Sequence, residues 1–286
     1  MTTNALLALQ RGRPSADFDA KVAHSIALLQ RAEREYSPLT QASSLGAEDM
    51  VVTDLIQRGG IASAVFVLDT GKLHEPTVAL IGRLEAHYQR TVEVYRPDAA
   101  VAAAFVAENG EEAMYRSIGL RKQCCDIRKM VPLEAALAGK RAWITGLRRE
   151  QSQARAEVHD IEAPGESGRA KVNPLAAWTW GDVWHYIELH GVPYNPLHDE
   201  FFPSIGCAPC TRAVTLGEDF RSGRWWWESE SAKECGLHVE GSHDGAPSGS
   251  SHDDPSTADP TVSANSSATV SPISFFPPRQ QKETTA

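Results

Sequence analysis

Four of the five cysteines fall into two tight pairs. Cys124-Cys125 lies within Arg121-Lys122-Gln123-Cys124-Cys125-Asp126-Ile127-Arg128-Lys129, and Gly206-Cys207-Ala208-Pro209-Cys210 follows about eighty residues later. Thiolates grouped in this way hold a metal or a metal cluster. Neighbouring side chains point away from each other, which suits one tetrahedral zinc poorly. It suits a cubane better, because each sulfur can take a different iron, and Cys₄ ligation is the rule for [4Fe–4S] clusters. Arg121, Lys122, Arg128 and Lys129 would complement the negative charge of such a cluster and its thiolates. A zinc knot and a pair of disulfides are the alternative readings. The remaining cysteine sits in Lys233-Glu234-Cys235-Gly236-Leu237-His238. A cysteine between Lys and His is readily converted to a thiolate, the setting for a nucleophile; a lone cysteine without such a role is simply inert.

Two loops have the composition to hold a phosphate-bearing ligand. Ser43-Ser44-Leu45-Gly46-Ala47-Glu48-Asp49 lies where a strand hands over to a helix, and small residues there let backbone N–H groups approach an anion. No Gly-Lys-Ser/Thr follows, so this is not a Walker loop. Leu68-Asp69-Thr70-Gly71 likewise ends a strand, at the edge where open sheets bind nucleotides. Taken singly, either is also an ordinary turn. Arginines recur beside further loops: Arg148-Arg149 and Arg155 after Gly146, and Arg221 with Arg224 beside Trp225-Trp226-Trp227. Exposed arginines usually solvate a surface; beside Gly-rich and aromatic loops they suggest anion recognition by the guanidinium fork.

Elements must position these residues. Phe18, Val22, Ile26 and Leu29 keep helical spacing over residues 17–35, and Pro38 ends that helix. Leu39–Ser43 reads as a strand, Met50–Ile56 as an apolar helix closed by Gly59-Gly60, and Ala64–Leu68 as a second strand. A helix from about His74 to Tyr88, a strand over Thr91–Tyr95 and a helix over Ala99–Val106 follow. The cysteine pair is expected on a helix from Cys124 to Leu137, with a strand at Ala142–Thr145. Residues 148–171 read as a polar loop, and Thr179–Leu189 as a helix. This alternation predicts an α/β fold with an open, mostly parallel sheet and helices on both faces. From Gly241 onward Ser, Pro, Asp, Thr and Ala dominate without periodicity, the composition of a disordered tail.

The bulk properties exclude several classes. A net charge of -9 argues against general nucleic-acid binding. No apolar run is long enough to span a membrane, and the first residues lack the pattern of a signal peptide. Two cysteine pairs and one single cysteine fit a reducing cytoplasm better than a secreted disulfide framework.

Together, these residues resemble the assimilatory adenylyl-sulfate reductases of the adenylyl-sulfate/phosphoadenylyl-sulfate reductase family. The resemblance runs from about Ser43 to His238 and includes the Ser-rich loop, Leu68-Asp69-Thr70-Gly71, Cys124-Cys125 with Arg128-Lys129, and Gly146-Leu147-Arg148-Arg149. It continues through Asn173-Pro174-Leu175, Val192–His198, Cys207 with Cys210, Arg221 with Arg224, and Glu234-Cys235-Gly236-Leu237-His238. It departs at Leu73-His74-Glu75-Pro76-Thr77, where the family usually reads Pro-Glu-Thr; a shifted helix start is the expected consequence.

The resemblance implies an adenine-nucleotide α-hydrolase-like sheet and a [4Fe–4S] cluster on Cys124, Cys125, Cys207 and Cys210. It implies that the Cys235 thiolate attacks the sulfate sulfur, AMP departs, and a separate thioredoxin or glutaredoxin releases sulfite from the S-sulfocysteine. Lys129, Arg155, Arg221, Arg224 and His238 would meet the phosphosulfate; Ser43, Ser44, Gly46, Leu68, Thr70 and Gly146 would line the nucleotide site. The implied organisation is an N-terminal helical segment (1–36), a nucleotide-binding and iron–sulfur domain (37–227), a mobile segment carrying the catalytic cysteine (228–240), and the tail (241–286). Members with the cluster mainly use adenylyl sulfate, so a phosphoadenylyl-sulfate or dual-substrate enzyme is the near alternative. An ATP-dependent thiolation enzyme of the same fold and a non-enzymatic iron–sulfur sensor are the distant ones. Family members are often homo-oligomers, and no partner other than the reductant is implied, neither nucleic acid nor membrane.

Overall fold

The computed structural model describes residues 13–165, 167–215 and 217–228. Six strands form one sheet: β1 (Leu39–Ser43), β2 (Ser63–Leu68), β3 (Glu93–Tyr95), β4 (Ala142–Ile144), β5 (Ile161–Glu162) and β6 (Ala170–Val172), in the order β3-β2-β1-β4-β6-β5. Every pairing is parallel except β5 with β6. The chain runs outward from β1 to β3, then returns to place β4 on the other side of β1. The strand order therefore reverses between β1 and β4, and the crevice beyond their carboxyl ends is where an open α/β sheet takes its ligand.

The helices are α1 (Phe18–Tyr36), α2 (Ala47–Arg58), α3 (Glu75–Tyr88), α4 (Ala99–Asn109), α5 (Ala113–Arg116), α6 (Ile118–Cys125), α7 (Val131–Leu137) and α8 (Trp180–His190). Strand alternation sends side chains to two faces. Leu39, Val67, Ala142, Ile144, Ala170 and Val172 pack with the apolar residues of α1, α2, α3 and α8 in the main core. Phe66 and Trp143 point the other way and pack with Leu133, Ala136 and Leu137 of α7. Helices thus cover both faces of the sheet, as the periodicity predicts. In α2 every residue from Ala47 to Ile56 is buried, which makes it the central helix. The α8 helix opens on a Thr179–Asp182 capping box and closes on Gly191 in the left-handed conformation.

Three expectations need correction. The α2 helix begins at Ala47, not Met50, so Glu48 and Asp49 occupy its first turn, where the helix dipole favours acids. The cysteine pair does not begin a helix running to Leu137. It ends α6, and one π-helical turn, Asp126–Met130, separates it from α7. Such turns insert an extra residue into the ladder and recur at functional sites. Residues 148–171 are not a plain loop: they hold two short 3₁₀ turns, β5 and the start of β6. The β6 strand is only three residues long, too short to show a period, and its Lys171 ammonium lies 5.6 Å from the centre of the Trp143 ring. After Leu73, α3 begins at Glu75 with Pro76 in its first turn. Residues 1–12 of the N-terminal segment, and residues 241–286 of the tail, lie outside the described residues.

Candidate active site

The cleft at the reversal point has a volume of about 210 Å³. Ten residues singled out from sequence line it: Ser43, Ser44, Gly46, Leu68, Thr70, Lys129, Gly146, Arg155, Arg221 and Arg224. Six segments of the chain supply them: the ends of β1, β2 and β4, the π-helical turn, and the loops reaching Arg155 and Arg224. His238 and Cys235 lie outside the described residues.

The β1 loop is held by its own acids. Asp49 accepts from the Ser44 backbone N–H at 2.7 Å and from the Ser44 hydroxyl at 2.6 Å. Burial pushes the Asp49 carboxyl up to about 6, against the lowering effect of the Ser44 and Gly146 hydrogen bonds. Glu48 accepts from Arg148 through Nε (3.1 Å) and Nη2 (3.0 Å) and from Gln151 Nε2 at 3.0 Å. Gln151 in turn accepts from Arg155 Nη1 at 2.6 Å, so one amide links the cleft arginine to the buried ion pair. Gly146 is required where it stands. A Cβ there would come within 2.5 Å of Asp49 Oδ1 and 3.1 Å of the Asp49 backbone nitrogen. Close approach of the β4 turn to the α2 N-terminus closes this side of the cleft. Leu45 is buried with φ 61, a left-handed conformation costly for a side chain of its size, held there between Ser44 and Gly46.

The arginines divide. Arg148 is fully buried and committed to Glu48, Glu150 and the Trp178 carbonyl. Arg149 bonds the Val158 carbonyl and Asp160. Neither lines the cleft; of the arginines singled out from sequence, Arg155, Arg221 and Arg224 do. Arg224 donates from Nη1 to Ser204 Oγ and the Ile205 carbonyl, while its buried Nε has no hydrogen-bond partner among the described residues. Its guanidinium rests on Gly206, where a Cβ would fall 2.5 Å from Nη2. A buried cation with spare donors is suited to an anionic ligand.

A second, smaller cavity adjoins the cleft. Cys124, Cys125, Cys207 and Cys210 all line it, with Lys72, Arg121, Arg128 and Lys129. None of the four is disulfide-bonded, so the disulfide reading is set aside. Cys207 and Lys129 line both cavities. Thr70 joins them too: its hydroxyl lies 3.2 Å from Cys207 Sγ, and its carbonyl accepts from Arg128 Nη1 at 2.8 Å. Burial pushes the Cys210 thiol up to about 11, and raises Cys124 against the lowering influence of Arg128. The donor set fits a cluster: four soft ligands face one cavity, and Arg128 Nε and Trp225 Nε1 are buried beside it with no hydrogen-bond partner among the described residues. Among the described residues, no three His, Cys, Asp or Glu side chains converge closely enough to hold a single metal ion.

Sequence reasoning missed three features of this region. His198 Nε2 accepts from the Ala47 N–H at 3.0 Å, capping α2 from 151 residues away, with Nδ1 bonded to the Phe202 carbonyl at 2.8 Å. Trp225, fully buried, carries the guanidiniums of both Arg121 (4.7 Å) and Arg224 (4.8 Å) over its ring. Phe220 and the loop Pro203–Gly206 complete the cleft wall. Only Gly206, directly before Cys207, carried a sequence signal for that last contact. No helix among the described residues is long and apolar enough to cross a membrane.

A family model described as the phosphoadenosine phosphosulfate reductase domain matches residues 38–213. The chain is similar to the adenosine 5'-phosphosulfate reductase of Allochromatium vinosum, 48% identical over 232 residues that cover 80% of this chain and 91% of that protein. It is similar to the protein of the same name from Burkholderia cepacia, 50% identical over 223 residues, 78% of this chain and 89% of that one. Among solved structures it resembles a phosphoadenylyl-sulfate reductase from Candida auris in a phosphate complex, with a TM-score of 0.57 and 26% identity, covering 70% of this chain and 98% of that chain.

Proposed function

The chain belongs to the phosphoadenosine phosphosulfate reductase family, and from that membership we propose that it reduces adenylyl sulfate to sulfite and AMP in sulfate assimilation. One observation carries the reading beyond the family name: the cationic nucleotide cleft and the four-cysteine cavity are adjacent and share Cys207 and Lys129. The adenosine end of the substrate would lie against Ser43, Ser44, Gly46, Leu68, Thr70 and Gly146. Lys129, Arg155, Arg221 and Arg224 would meet the phosphosulfate, joined by His238.

In the first step the Cys235 thiolate attacks the sulfate sulfur, an S–S bond forms, and the bond from sulfur to the bridging phosphate oxygen breaks. AMP leaves as a phosphate anion, so cations must meet charge as it develops. Cys235 now carries an S-sulfo group. In the second step a thiolate of a thioredoxin- or glutaredoxin-type reductant attacks the Cys235 sulfur, and sulfite departs with the electron pair of the broken bond. The second thiol of the reductant then resolves the mixed disulfide and regenerates Cys235. The chain that bears Cys235, beyond Glu228, must let the adduct be reached from outside, and we propose that it moves for this purpose.

Cys124, Cys125, Cys207 and Cys210 would hold a [4Fe–4S] cluster, which when bound orders the site and, through Lys129, tunes the field at the sulfate. The reducing state this requires agrees with a cytoplasmic location. The test is sulfite release by anaerobically purified protein with thioredoxin and dithiothreitol, from adenylyl sulfate and phosphoadenylyl sulfate in parallel. Strong preference for the first is the expected result. Comparable rates would make the enzyme bifunctional, and no sulfite from either substrate, with an intact brown cluster, would overturn the reading.

A further inference from the structure

Arg121 and Glu228 form a buried bidentate ion pair, Nε to Oε1 at 3.0 Å and Nη2 to Oε2 at 2.8 Å, across 107 residues of sequence. The two side chains are 1% and 3% exposed. Neither residue lines the nucleotide cleft, so substrate contact does not account for them. A buried pair of this kind adds little stability over an apolar pair of equal volume, because desolvation offsets the attraction. What it does supply is direction, since the guanidinium fork and the carboxylate meet in one plane.

The pair joins the wall of the cysteine cavity to Glu228, the last described residue. Arg121 precedes the cysteine pair on α6, lines the cysteine cavity and lies over the Trp225 ring. Arg224, over the same ring, lines the nucleotide cleft. The Trp225 N–H donates to the Cys210 carbonyl at 3.1 Å, and the Glu228 N–H to the Trp225 carbonyl at 2.8 Å. Glu228 is therefore tied at both its backbone and its carboxylate, and Cys235 follows seven residues later. Seven extended residues reach at most about 25 Å, so where the chain departs decides whether the thiol can arrive at the cleft in a productive pose.

We propose that Arg121 and Glu228 are positioning residues that fix the departure point of the segment bearing Cys235, and so couple the wall of the cysteine cavity to the placement of the nucleophile. The inference rests on the proposed role of Cys235. It is tested with Glu228→Gln, which keeps the shape and removes the charge. A double variant, Arg121→Gln with Glu228→Gln, removes both charges of the pair and serves if the single one does not fold. In holoenzyme of wild-type iron content, single-turnover formation of the S-sulfo adduct, read by intact mass, should fall about 10- to 100-fold, as for other misplaced reacting groups. The AMP dissociation constant should stay within about twofold of wild type, because the pair is outside the cleft. Tryptic cleavage after Lys233, which needs no activity, should accelerate. Adduct formation at the wild-type rate in either folded variant overturns the proposal, as does a loss matched by an equal loss of AMP affinity. A wild-type chain that forms no adduct on Cys235 overturns the proposed function instead, while the cleavage readout still decides whether the pair anchors the segment.

Discussion

Replacing Arg148 by Met is the sharpest test of how the cleft is built. The guanidinium is fully buried and satisfied at three nitrogens: Nε and Nη2 on Glu48, Nη1 on Glu150 and the Trp178 carbonyl. Arg148→Met leaves Glu48, 7% exposed, with Gln151 as its remaining donor. Breaking a buried pair from one side costs about 3–5 kcal/mol, because a charge stays behind without its partner. For a fold of this size that corresponds to a fall of roughly 6–20 °C in the thermal midpoint. Adding Glu48→Gln to the same protein removes the stranded charge and keeps the Gln151 contact. The double variant should therefore melt higher than Arg148→Met alone, a reversal that simple loss of packing does not produce. Thermal unfolding of the four proteins of the cycle, purified anaerobically, measures it. If the double variant is destabilised by the sum of the two single changes, to within about 0.5 kcal/mol, the pair is not the coupled unit described here and the argument fails.

Two further outcomes follow from the same corner. Gly146→Ala places a Cβ against the Asp49 carboxylate and backbone, and overpacking of this kind costs about 1–3 kcal/mol; AMP binding should weaken with it. Gly82→Ala, inside α3 with open space around the added carbon, should instead stabilise by about 0.4–1 kcal/mol. Isothermal titration and melting curves on the pair of variants distinguish site crowding from a general effect of lost glycine. Asp49 gives a pH dependence. Its pKa is raised from 3.8 in the unfolded chain to about 6, so its contribution to stability is fully present below 3.8 and is lost as pH rises through 6. Between pH 7.5 and 5 the wild type should gain about 1.4 kcal/mol relative to Asp49→Asn; a difference that is flat with pH, or of opposite sign, counts against a buried, strained carboxylate.

The parts legible in sequence were those carried by period or by spacing. Strands β1, β2 and β4 and helices α1, α3 and α8 show apolar periodicity, and the cysteine pairs show ligand spacing. The residues of the Ser-rich loop, the Thr70 loop and Gly146 converge because parallel strands bring their carboxyl ends to one edge. The roles of individual arginines were not legible. Arg148 and Arg155 stand in the same basic stretch, yet one is locked on Glu48 and the other faces the cleft, and what separates them is a 3₁₀ turn with Gln151 at its end. The π-helical turn after Cys125 has no composition of its own, and its ladder shift is visible only in coordinates. His198 capping α2, and Glu228 holding Arg121, join residues more than a hundred positions apart and leave no local pattern.

The charges explain how an acidic chain can offer a site for an anion. The net charge is -9, and both acids in the lining sit in the first turn of α2, where an incoming phosphate would otherwise meet them. Each is occupied by the protein itself: Glu48 by Arg148 and Gln151, Asp49 by Ser44 and Gly146. Lys129, Arg155, Arg221 and Arg224 line the same cleft. In a cavity walled by Phe66, Trp143, Phe220 and Trp225, charge acts through a low dielectric and counts for more than the same charge on the surface. Local pairing of the acids, more than the overall balance of the chain, therefore determines what this cleft attracts. For the anion proposed above, the Arg148–Glu48 pair would be a condition of binding as well as a structural contact.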